Sequence, residues 1–449
     1  MTYRLKHGLG PLLLIWLGMG AAASQAQEAA SNQASAPMAT SVDALAPASA
    51  TDAEQLFAPL TPEGLLPTAI AQPLLDRYPA VMAARAGMTV AERQADILHS
   101  SPYEWTPRVT SQRRNIKDGP DHREWNAGIG RTLRLPNKAA ADDRIGEATI
   151  KEGQARYGEA RHEAARALLK YWLDWQVAAQ AARLAAQSRK FAEENLALVD
   201  KRVRAGDAAA LDANIARAEL ADQRRQENDA QTQLASAWSL LAAHFPGIPE
   251  QPTALPEPPP LLGETRLWQD HILANSDELK VIEEGLRVAR AAAERAHADR
   301  IPDPTVEVFA ASEMGGNERL AGVMLNIPIP GSARGLRDDK AVATIDVWRE
   351  EVALKRRELE GRVAGDLATA RGALTSLRMA SDNARAMAEN ARLLQRAYAL
   401  GEAELQALLL ARRQAATAEN SALQAKAAAL HGYYGLLIDA HLVWDLAHD

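Results

Sequence analysis

One stretch of the chain occurs twice, and this duplication is the strongest constraint on the fold. The first copy reads ENLALVDKRVRAGDA around Gly206, and the second reads ENARLLQRAYALGEA around Gly401. An ungapped offset of 195 residues (401 − 206) pairs the two glycines and also pairs Arg217 with Arg412. Glycine permits the left-handed backbone that ends one helix, and an acidic residue just after it suits the first turn of the next. The sequence therefore predicts two helical hairpins that reverse at Gly206 and Gly401.

The flanks of both reversals follow one plan, so the chain is predicted to contain two structural repeats. Repeat 1 is predicted over residues 62–245, with a β-hairpin at 106–135. Repeat 2 is predicted over residues 264–449, with a β-hairpin at 303–329. Each repeat contains a helix, the hairpin, a long helix, the glycine tip and a return helix. Between them lies a linker, 246–263, with seven prolines between positions 246 and 260, which is typical of an extended segment.

The predicted long helices are too long for an ordinary globular domain. Residues 137–205 lack proline and consist of strong helix formers, which predicts a helix of about 100 Å. A second long helix is predicted over 334–400. The helix that returns to His244 and a single helix predicted over 264–300 together match the length of one long helix. The protomer is therefore predicted to be a pseudo-twofold slab, with strands at one end and glycine tips at the other.

Both predicted hairpins have one apolar face. Trp125, Ala127 and Ile129 alternate with polar residues and glycines, although Arg131 interrupts the apolar face, and the segment RLAGVMLNIPIP alternates in the same way. Four strands cannot close a membrane barrel, because about eight is the smallest closed number and an open edge in lipid leaves backbone groups unsatisfied. The predicted fold class is an α+β membrane duct: a homotrimer with a 12-stranded β-barrel, four strands from each protomer, continued by a long α-helical coiled-coil barrel.

The N-terminal residues and the composition narrow the function further. Residues 1–26 have the charged, apolar and small-residue regions of a secretory signal peptide, and residues 27–61 form an Ala-, Ser- and Pro-rich segment that is predicted to be a flexible leader. The absence of cysteine excludes disulfides and thiolate chemistry. A net charge of −7 gives no support to nucleic-acid binding.

No residue pattern indicates an enzyme. The histidines after the signal peptide are dispersed and form no ligand cluster in the sequence, so no metal site is predicted. His162-Glu163 is not followed by a histidine at the spacing of a zinc protease. No nucleophile, acid–base pair or cofactor loop stands out, so neither catalytic residues nor cofactors are predicted.

Several short motifs, in doubled order, resemble one known family. Pro302-Asp303-Pro304 opens a strand, the segments LPNK (135–138) and IPIPGSARG (327–335) end strands, and RAGDAAALD and ALGEAELQALLLA mark the two tips. From about residue 65 onward, the chain resembles the TolC-type outer-membrane efflux factors. The resemblance implies a trimer in the outer membrane that extends into the periplasm. It also implies a resistance-nodulation-division pump in the inner membrane and a periplasmic adaptor (membrane fusion) protein as partners, and no catalysis.

The resemblance places the adaptor contact at the tips. The six candidate contact residues are Arg204, Ala205, Gly206, Ala399, Leu400 and Gly401. Some family members narrow the aperture with aspartates six and nine residues after the second tip glycine, where this chain has Ala407 and Leu410. Asp212, Glu402 and Glu404 are the nearest acids, and they are candidates either for an aperture ring or for solvated helix starts.

The segment LPNKAAADDR is similar to the heavy-metal branch of the family, whose members resemble CzcC. The predicted function is therefore passive conduction of heavy-metal cations from the pump and adaptor to the exterior. One alternative is a duct for drugs or secreted polypeptides. Another is a periplasmic coiled-coil adaptor or structural protein without a channel.

Overall fold

The computed structural model of the chain describes residues 57, 58, 60 and 62–446. The predicted signal peptide, 1–26, lies outside the described residues. The predicted leader, 27–61, also lies outside them, apart from positions 57, 58 and 60. Within the described part of the chain, no helix is both long enough and apolar enough to cross a membrane.

The first repeat contains two short helices, two strands and two long helices. They are α1 (Thr68–Asp76), α2 (Pro79–His99), β1 (Thr106–Arg114), β2 (His122–Thr132), α3 (Pro136–Ala205) and α4 (Ala210–His244). Both α2 and α3 begin at a proline, whose fixed φ suits a first helical turn where no N–H is needed. With 70 residues, α3 is about 105 Å long.

The second repeat has the same order but begins with a divided helix. Its elements are α5 (Thr265–Asn275), α6 (Asp277–Ala298), β3 (Thr305–Glu313), β4 (Glu318–Asn326), α7 (Ser332–Leu400) and α8 (Leu405–Asp439). The sequence predicts one helix over 264–300, whereas the structure breaks it at Ser276. The Ser276 hydroxyl accepts a hydrogen bond from the Leu279 backbone N–H at 3.2 Å, which caps a new helix.

The two hairpins join into one four-stranded antiparallel sheet in the order β1-β2-β3-β4. Its register places Ile129 opposite Val308 and Val308 opposite Val323, which aligns the apolar faces of both hairpins. On the opposite face, Arg108 pairs with Glu307 at 2.7 Å. The sheet therefore has one mainly apolar face, interrupted at Arg131, and one face that carries the Arg108–Glu307 ion pair.

The main hydrophobic core lies between the long helices. Trp172 and Trp175 of α3, Leu367 of α7 and Tyr434 of α8 are all at most 3% exposed and belong to one cluster. The C-terminal segment closes this core, because the Trp444 indole donates a hydrogen bond to the carbonyl of Leu66 at 2.8 Å and is itself buried.

The proline-rich linker lies against this framework. The backbone N–H of Thr253 donates to Gln176 of α3 at 2.9 Å, and Glu257 pairs with Lys426 of α8. The linker thus joins the repeats along the outside of the helices.

Candidate functional site at the hairpin tips

The two hairpins end in the same backbone geometry. Gly206 has φ 85° and ψ 5°, and Gly401 has φ 79° and ψ 11°, both in the left-handed region. In each tip, two backbone N–H groups close the last turn of the long helix. The bonds are Gly206 to Val203 (3.1 Å), Asp207 to Arg202 (2.8 Å), Gly401 to Tyr398 (3.1 Å) and Glu402 to Ala397 (2.9 Å). The shared hydrogen-bond pattern makes the two reversals structural equivalents.

A small apolar cluster joins the tips to each other. Its buried members are Val199, Ala213 and Ala216 from the first hairpin and Tyr398, Leu405, Leu408 and Leu409 from the second. The guanidinium of Arg202 lies 5.0 Å from the centre of the Tyr398 ring, a favourable cation–π distance. The tips are therefore two halves of one surface at one end of the molecule.

Charged side chains fasten the second hairpin to the first above this cluster. Arg413 of α8 pairs with Glu219 of α4, which is only 5% exposed and also accepts from Gln223 at 3.0 Å. The hydrogen bond to Glu219 raises the pKa of Arg413. The neighbouring Arg412 lies 4.0 Å from the Phe191 ring centre, and burial lowers its pKa. The first contact joins the two return helices, α4 and α8, and the second joins α8 to α3.

The predicted contact residues all lie on the open side of this surface. Arg204, Ala205, Gly206, Ala399, Leu400 and Gly401 are exposed, and Leu400 is 68% exposed. The structure brings the two sets to the same end of the protomer, although they are 195 positions apart in the sequence.

The three candidate acids lie at the helix starts that follow the tips. Asp212 is half-buried in the first turn of α4. Glu402 and Glu404 are exposed, and Glu404 immediately precedes α8. The acids share the tip surface, and their part in an aperture ring stays a prediction.

Three exposed leucines near the tips are not among the contact residues predicted from the sequence. Leu211, Leu393 and Leu410 are 64%, 52% and 58% exposed, respectively. Two of them lie within the tip motifs, but a run such as LLL at 408–410 does not reveal which leucine faces outward. Only the packing of α8 settles that Leu408 and Leu409 are buried and Leu410 is not.

A second constellation lies at the junction of the sheet and the helices, where two of the family-like motifs meet. The Lys138 ammonium of LPNK, 1% exposed, lies 3.1 Å from Oδ1 of Asp299 and 3.1 Å from Oδ1 of Asp303. Asp303 also accepts from the Leu135 backbone N–H at 3.0 Å and from the Tyr103 hydroxyl at 2.6 Å. The aspartate of Pro302-Asp303-Pro304 thus connects repeat 2 to the start of α3.

The electrostatics of this junction follow from these bonds. Burial by itself raises the pKa of Asp303, but the bonds from Tyr103, Leu135 and Lys138 outweigh it and hold the pKa below its usual range. The hydrogen bond from the Tyr103 hydroxyl to Asp303, together with burial, raises the pKa of Tyr103 to about 12. Asp303 is therefore a carboxylate at neutral pH, held by three donors.

Comparisons with known proteins agree with this architecture. Residues 70–244 match the model of the family described as outer membrane efflux protein. The structure is similar to CusC, a protein described as forming a transmembrane channel, with 16% identity, coverage of 83% of this chain and 91% of that one, and a TM-score of 0.66. It is also similar to the outer-membrane channel OprN, with 18% identity, coverage of 84% of this chain and 90% of that one, and a TM-score of 0.66. The Campylobacter jejuni outer membrane channel CmeC is 16% identical, with coverage of 86% of this chain and 87% of that one and a TM-score of 0.64. No curated protein sequence matches the chain.

The family match covers most of the first repeat, and the structural likeness extends over both repeats. The predicted fold class is confirmed: long helices, two repeats, and four strands per protomer. The family matched over residues 70–244 consists of outer-membrane efflux proteins rather than enzymes, which agrees with the predictions of no catalysis and of a place in the outer membrane with an extension into the periplasm. The predicted resemblance to the TolC-type outer-membrane efflux factors is confirmed, because residues 70–244 match the outer membrane efflux protein family and both repeats have the fold of outer-membrane channels.

Proposed function

We propose that three copies of this chain form the outer-membrane duct of a tripartite efflux system. The duct receives heavy-metal cations from an inner-membrane pump of the resistance-nodulation-division class, through a periplasmic adaptor, and releases them outside the cell. The observation that carries the proposal is the four-stranded sheet, which has one face suited to lipid and one suited to water.

The two faces of the sheet differ sharply in chemistry. On the apolar face, Val109, Val308 and Val323 are 78%, 56% and 70% exposed in one protomer. Burial of such apolar surface is favourable by about 25 cal/mol per Å², so this face needs a covering of hydrocarbon. The ion pair between Arg108 and Glu307 lies on the other face and suits a wet lumen. Three such sheets supply twelve strands, enough for a closed barrel around a channel.

The long helix α7 carries the surface on which copies of the chain join. Six apolar residues, each more than half exposed, form a stripe along it: Leu336, Val347, Leu354, Met379, Leu393 and Leu400. Their spacings of 7, 11, 14 and 25 residues are each close to a whole number of helical turns. The stripe faces away from the buried side of α7, so we assign it to the neighbouring protomer.

The tip surface is the proposed docking site for the adaptor. Backbone hydrogen bonds close its two turns, and Leu400, Leu211 and Leu410 present apolar side chains at the end of the tube. Asp212, Glu402 and Glu404 add negative charge around the same opening, which favours the entry of cations. The cargo itself is proposed from the resemblance of the LPNK segment to the heavy-metal branch.

A pair of substitutions on neighbouring residues of β4 tests the duct. Val323→Arg places a charge on the apolar face, whereas Met324→Arg places it on the charged face. Arginine at the bilayer midplane costs about 2–4 kcal/mol, so Val323→Arg should deplete the protein from outer-membrane fractions. Met324→Arg should leave a particle of about three chains, measured by native mass after detergent extraction. Equal behaviour of the two variants, or a soluble wild-type monomer, contradicts the proposal.

Growth of a deletion strain tests the cargo separately. The strain, with and without the complementing gene, is grown on zinc, cobalt, cadmium, copper or silver and on a panel of dyes and antibiotics. Loss of metal tolerance supports the heavy-metal branch. Unchanged metal tolerance with lost dye tolerance would instead assign the duct to drugs.

A further inference from the structure

Two histidines that lie far apart in the sequence meet inside the protomer. His162 of α3 and His441, just after α8, are 279 positions apart, yet Nδ1 of His162 lies 3.1 Å from Nε2 of His441. Asp277, the first residue of α6, brings its Oδ2 to 3.6 Å from the same Nε2 atom. One donor atom from each of the three residues fits within a span of 4.8 Å. The cluster is distant in sequence from the tips and the strands.

On the side that faces the histidines, the carboxylate of Asp277 makes no hydrogen bond within the described part of the chain and has only the 3.6 Å ion-pair contact with His441. Asp277 is 3% exposed, and its Oδ1 accepts from Lys280 at 3.2 Å. Its Oδ2 has no hydrogen-bond partner among the described residues. A buried carboxylate oxygen left unsatisfied is unfavourable, so the position calls for a cation.

His162 has a carboxylate beside its second ring nitrogen, as metal-binding histidines usually do. Its other ring nitrogen, Nε2, lies 3.3 Å from Oδ1 of Asp439. Arg166 donates hydrogen bonds of 2.9 and 2.8 Å to the same oxygen. A carboxylate on the outer nitrogen fixes the tautomer of a ligand histidine and leaves its inner nitrogen ready to bind.

The backbone of His441 adds an independent indication. Like Gly206 and Gly401, His441 follows the end of a helix in the left-handed region, with φ 57°. The closing bonds are also the same, since Leu442 N donates to Leu437 O at 2.8 Å and His441 N donates to Ile438 O at 2.9 Å. A non-glycine residue is strained in this conformation. Here the histidine stands where both tips use glycine, and the turn brings its ring beside His162 and Asp277.

We propose that His162, Asp277 and His441 bind one divalent transition-metal ion of the Zn²⁺ type in each protomer. Two imidazoles and a carboxylate form a donor set typical of Zn²⁺ rather than of Mg²⁺ or Ca²⁺, which take oxygen ligands. Ligand atoms around tetrahedral Zn²⁺ lie about 3.3 Å apart, given bonds of about 2.0–2.2 Å, and the observed separations of 3.1 and 3.6 Å bracket that value.

The ion would join three parts of the chain: α3 of repeat 1, the α5–α6 break and the segment that follows α8. It is a resident structural ion, separate from the cargo of the duct, because its ligands are buried within one protomer. The inference therefore stands whether or not the conducted substrate is a metal.

The test uses the full-length protein extracted from outer membranes, stripped with a chelator and then equilibrated with Zn²⁺. Isothermal titration and elemental analysis should give one ion per chain in the wild type. Asp277→Asn and His441→Gln should abolish this stoichiometric binding. Asp439→Asn, which removes only the support of His162, should weaken affinity by about 10–100-fold.

The matched control is His99→Gln. His99 forms a surface pair with Asp143 at 3.0 Å and is 82% exposed at its side chain, so its loss should leave Zn²⁺ binding unchanged. His441→Gly serves as the folding control, because glycine suits the left-handed turn: it should keep the native mass of the particle and lose the ion. A wild type without stoichiometric Zn²⁺, or Asp277→Asn and His441→Gly variants that bind it as the wild type does, overturns the proposal.

Discussion

The two long helices, α3 and α7, occupy equivalent places in the two repeats but are buried to very different extents. In one protomer, 21 of the 70 residues of α3 are buried, against 8 of the 69 residues of α7. α3 packs against α2, α4, α6 and α8, whereas α7 packs against α5, α6 and α8. One repeat thus supplies the centre of the protomer, and the other supplies an outer surface.

The 195-residue offset reveals which part of the packing the helices share. Leu168 and Trp172 of α3 correspond to Val363 and Leu367 of α7, and all four are at most 3% exposed. In contrast, Leu173 is fully buried, while its counterpart Ala368 is exposed. Both helices therefore have one buried face in common, and α3 has a second buried face that α7 does not have. A single protomer therefore leaves α7 incomplete, which is what a subunit of a closed ring requires.

The largest expected effect concerns the first turn of α3. Lys138 is buried against Asp299 and Asp303, whereas its counterpart in α7, Ala333, is exposed. Lys138→Met leaves the buried carboxylate of Asp303 without its cation and should lower the free energy of unfolding by about 3–5 kcal/mol. Chemical denaturation of the detergent-solubilised protein measures this. The matched substitution Ala333→Met should change stability by no more than about 0.5 kcal/mol.

The ion pair between Lys138 and Asp303 should also affect the stability of the protein in acid. The pKa of Asp303 is lowered in the folded protein, so its contribution is present above the ordinary pKa of 3.8 and is lost as the pH falls through the folded-state value. Wild-type stability should therefore fall in acid below pH 3.8 more steeply than that of Lys138→Met. If the stability of the wild type and of Lys138→Met fell equally steeply in acid, Lys138 would not stabilise the Asp303 carboxylate.

The next prediction concerns the second buried face of α3, which has no counterpart in α7. Leu173→Ala removes a side chain with no exposed surface and should destabilise the protein by about 2–5 kcal/mol. Leu198→Ala, on the same helix but 44% exposed, should cost less than about 1 kcal/mol. Unfolding curves of the two variants at one detergent concentration give the comparison. Similar losses at both positions would mean that α3 is not the buried centre.

The exposed stripe of α7 predicts a change in assembly rather than in folding. Leu354→Asp puts a charge into the apolar stripe and should reduce the particle from about three chains to single chains. Circular dichroism should remain that of a helical protein, because Leu354 is 56% exposed within the protomer. Glu360→Lys, at an exposed position of α7 outside the stripe, is the control and should stay trimeric. An intact trimer in Leu354→Asp would remove α7 from the interface.

Much of this fold could be predicted because its signals are local and repeated. A glycine between long helical runs marks each reversal, and alternation such as Trp125, Ala127 and Ile129 marks a strand with one apolar face. α3 runs from Pro136 to Ala205, where the sequence predicts a helix over about 137–205. The break at Ser276 was missed, although a serine followed by Asp277 and Glu278 is an ordinary helix start.

The parts that could not be predicted depend on contacts between distant residues. Nothing local brings Lys138 to Asp303, or His162 to His441, because each pair is joined by the packing of the two repeats. The outward position of Leu410 is likewise set by the neighbouring hairpin. A sequence pattern indicates which residues share a helix face, but the partner of that face comes from the tertiary structure.

The smallest effect compares the two tips, the one place where α3 and α7 end alike. A Cβ atom at Gly206 or Gly401 would have no neighbour within 4 Å, so a substitution to alanine there is opposed only by the left-handed backbone. Gly206→Ala and Gly401→Ala should therefore destabilise the protein equally, by about 1–2 kcal/mol each. Gly361 lies within α7, also with open space around it, and Gly361→Ala should instead stabilise the helix by about 0.5–1 kcal/mol. Unfolding curves of the three variants decide the matter: a larger loss at one tip would mean that the reversals are not equivalent, and that the asymmetry between α3 and α7 extends to the end of the duct.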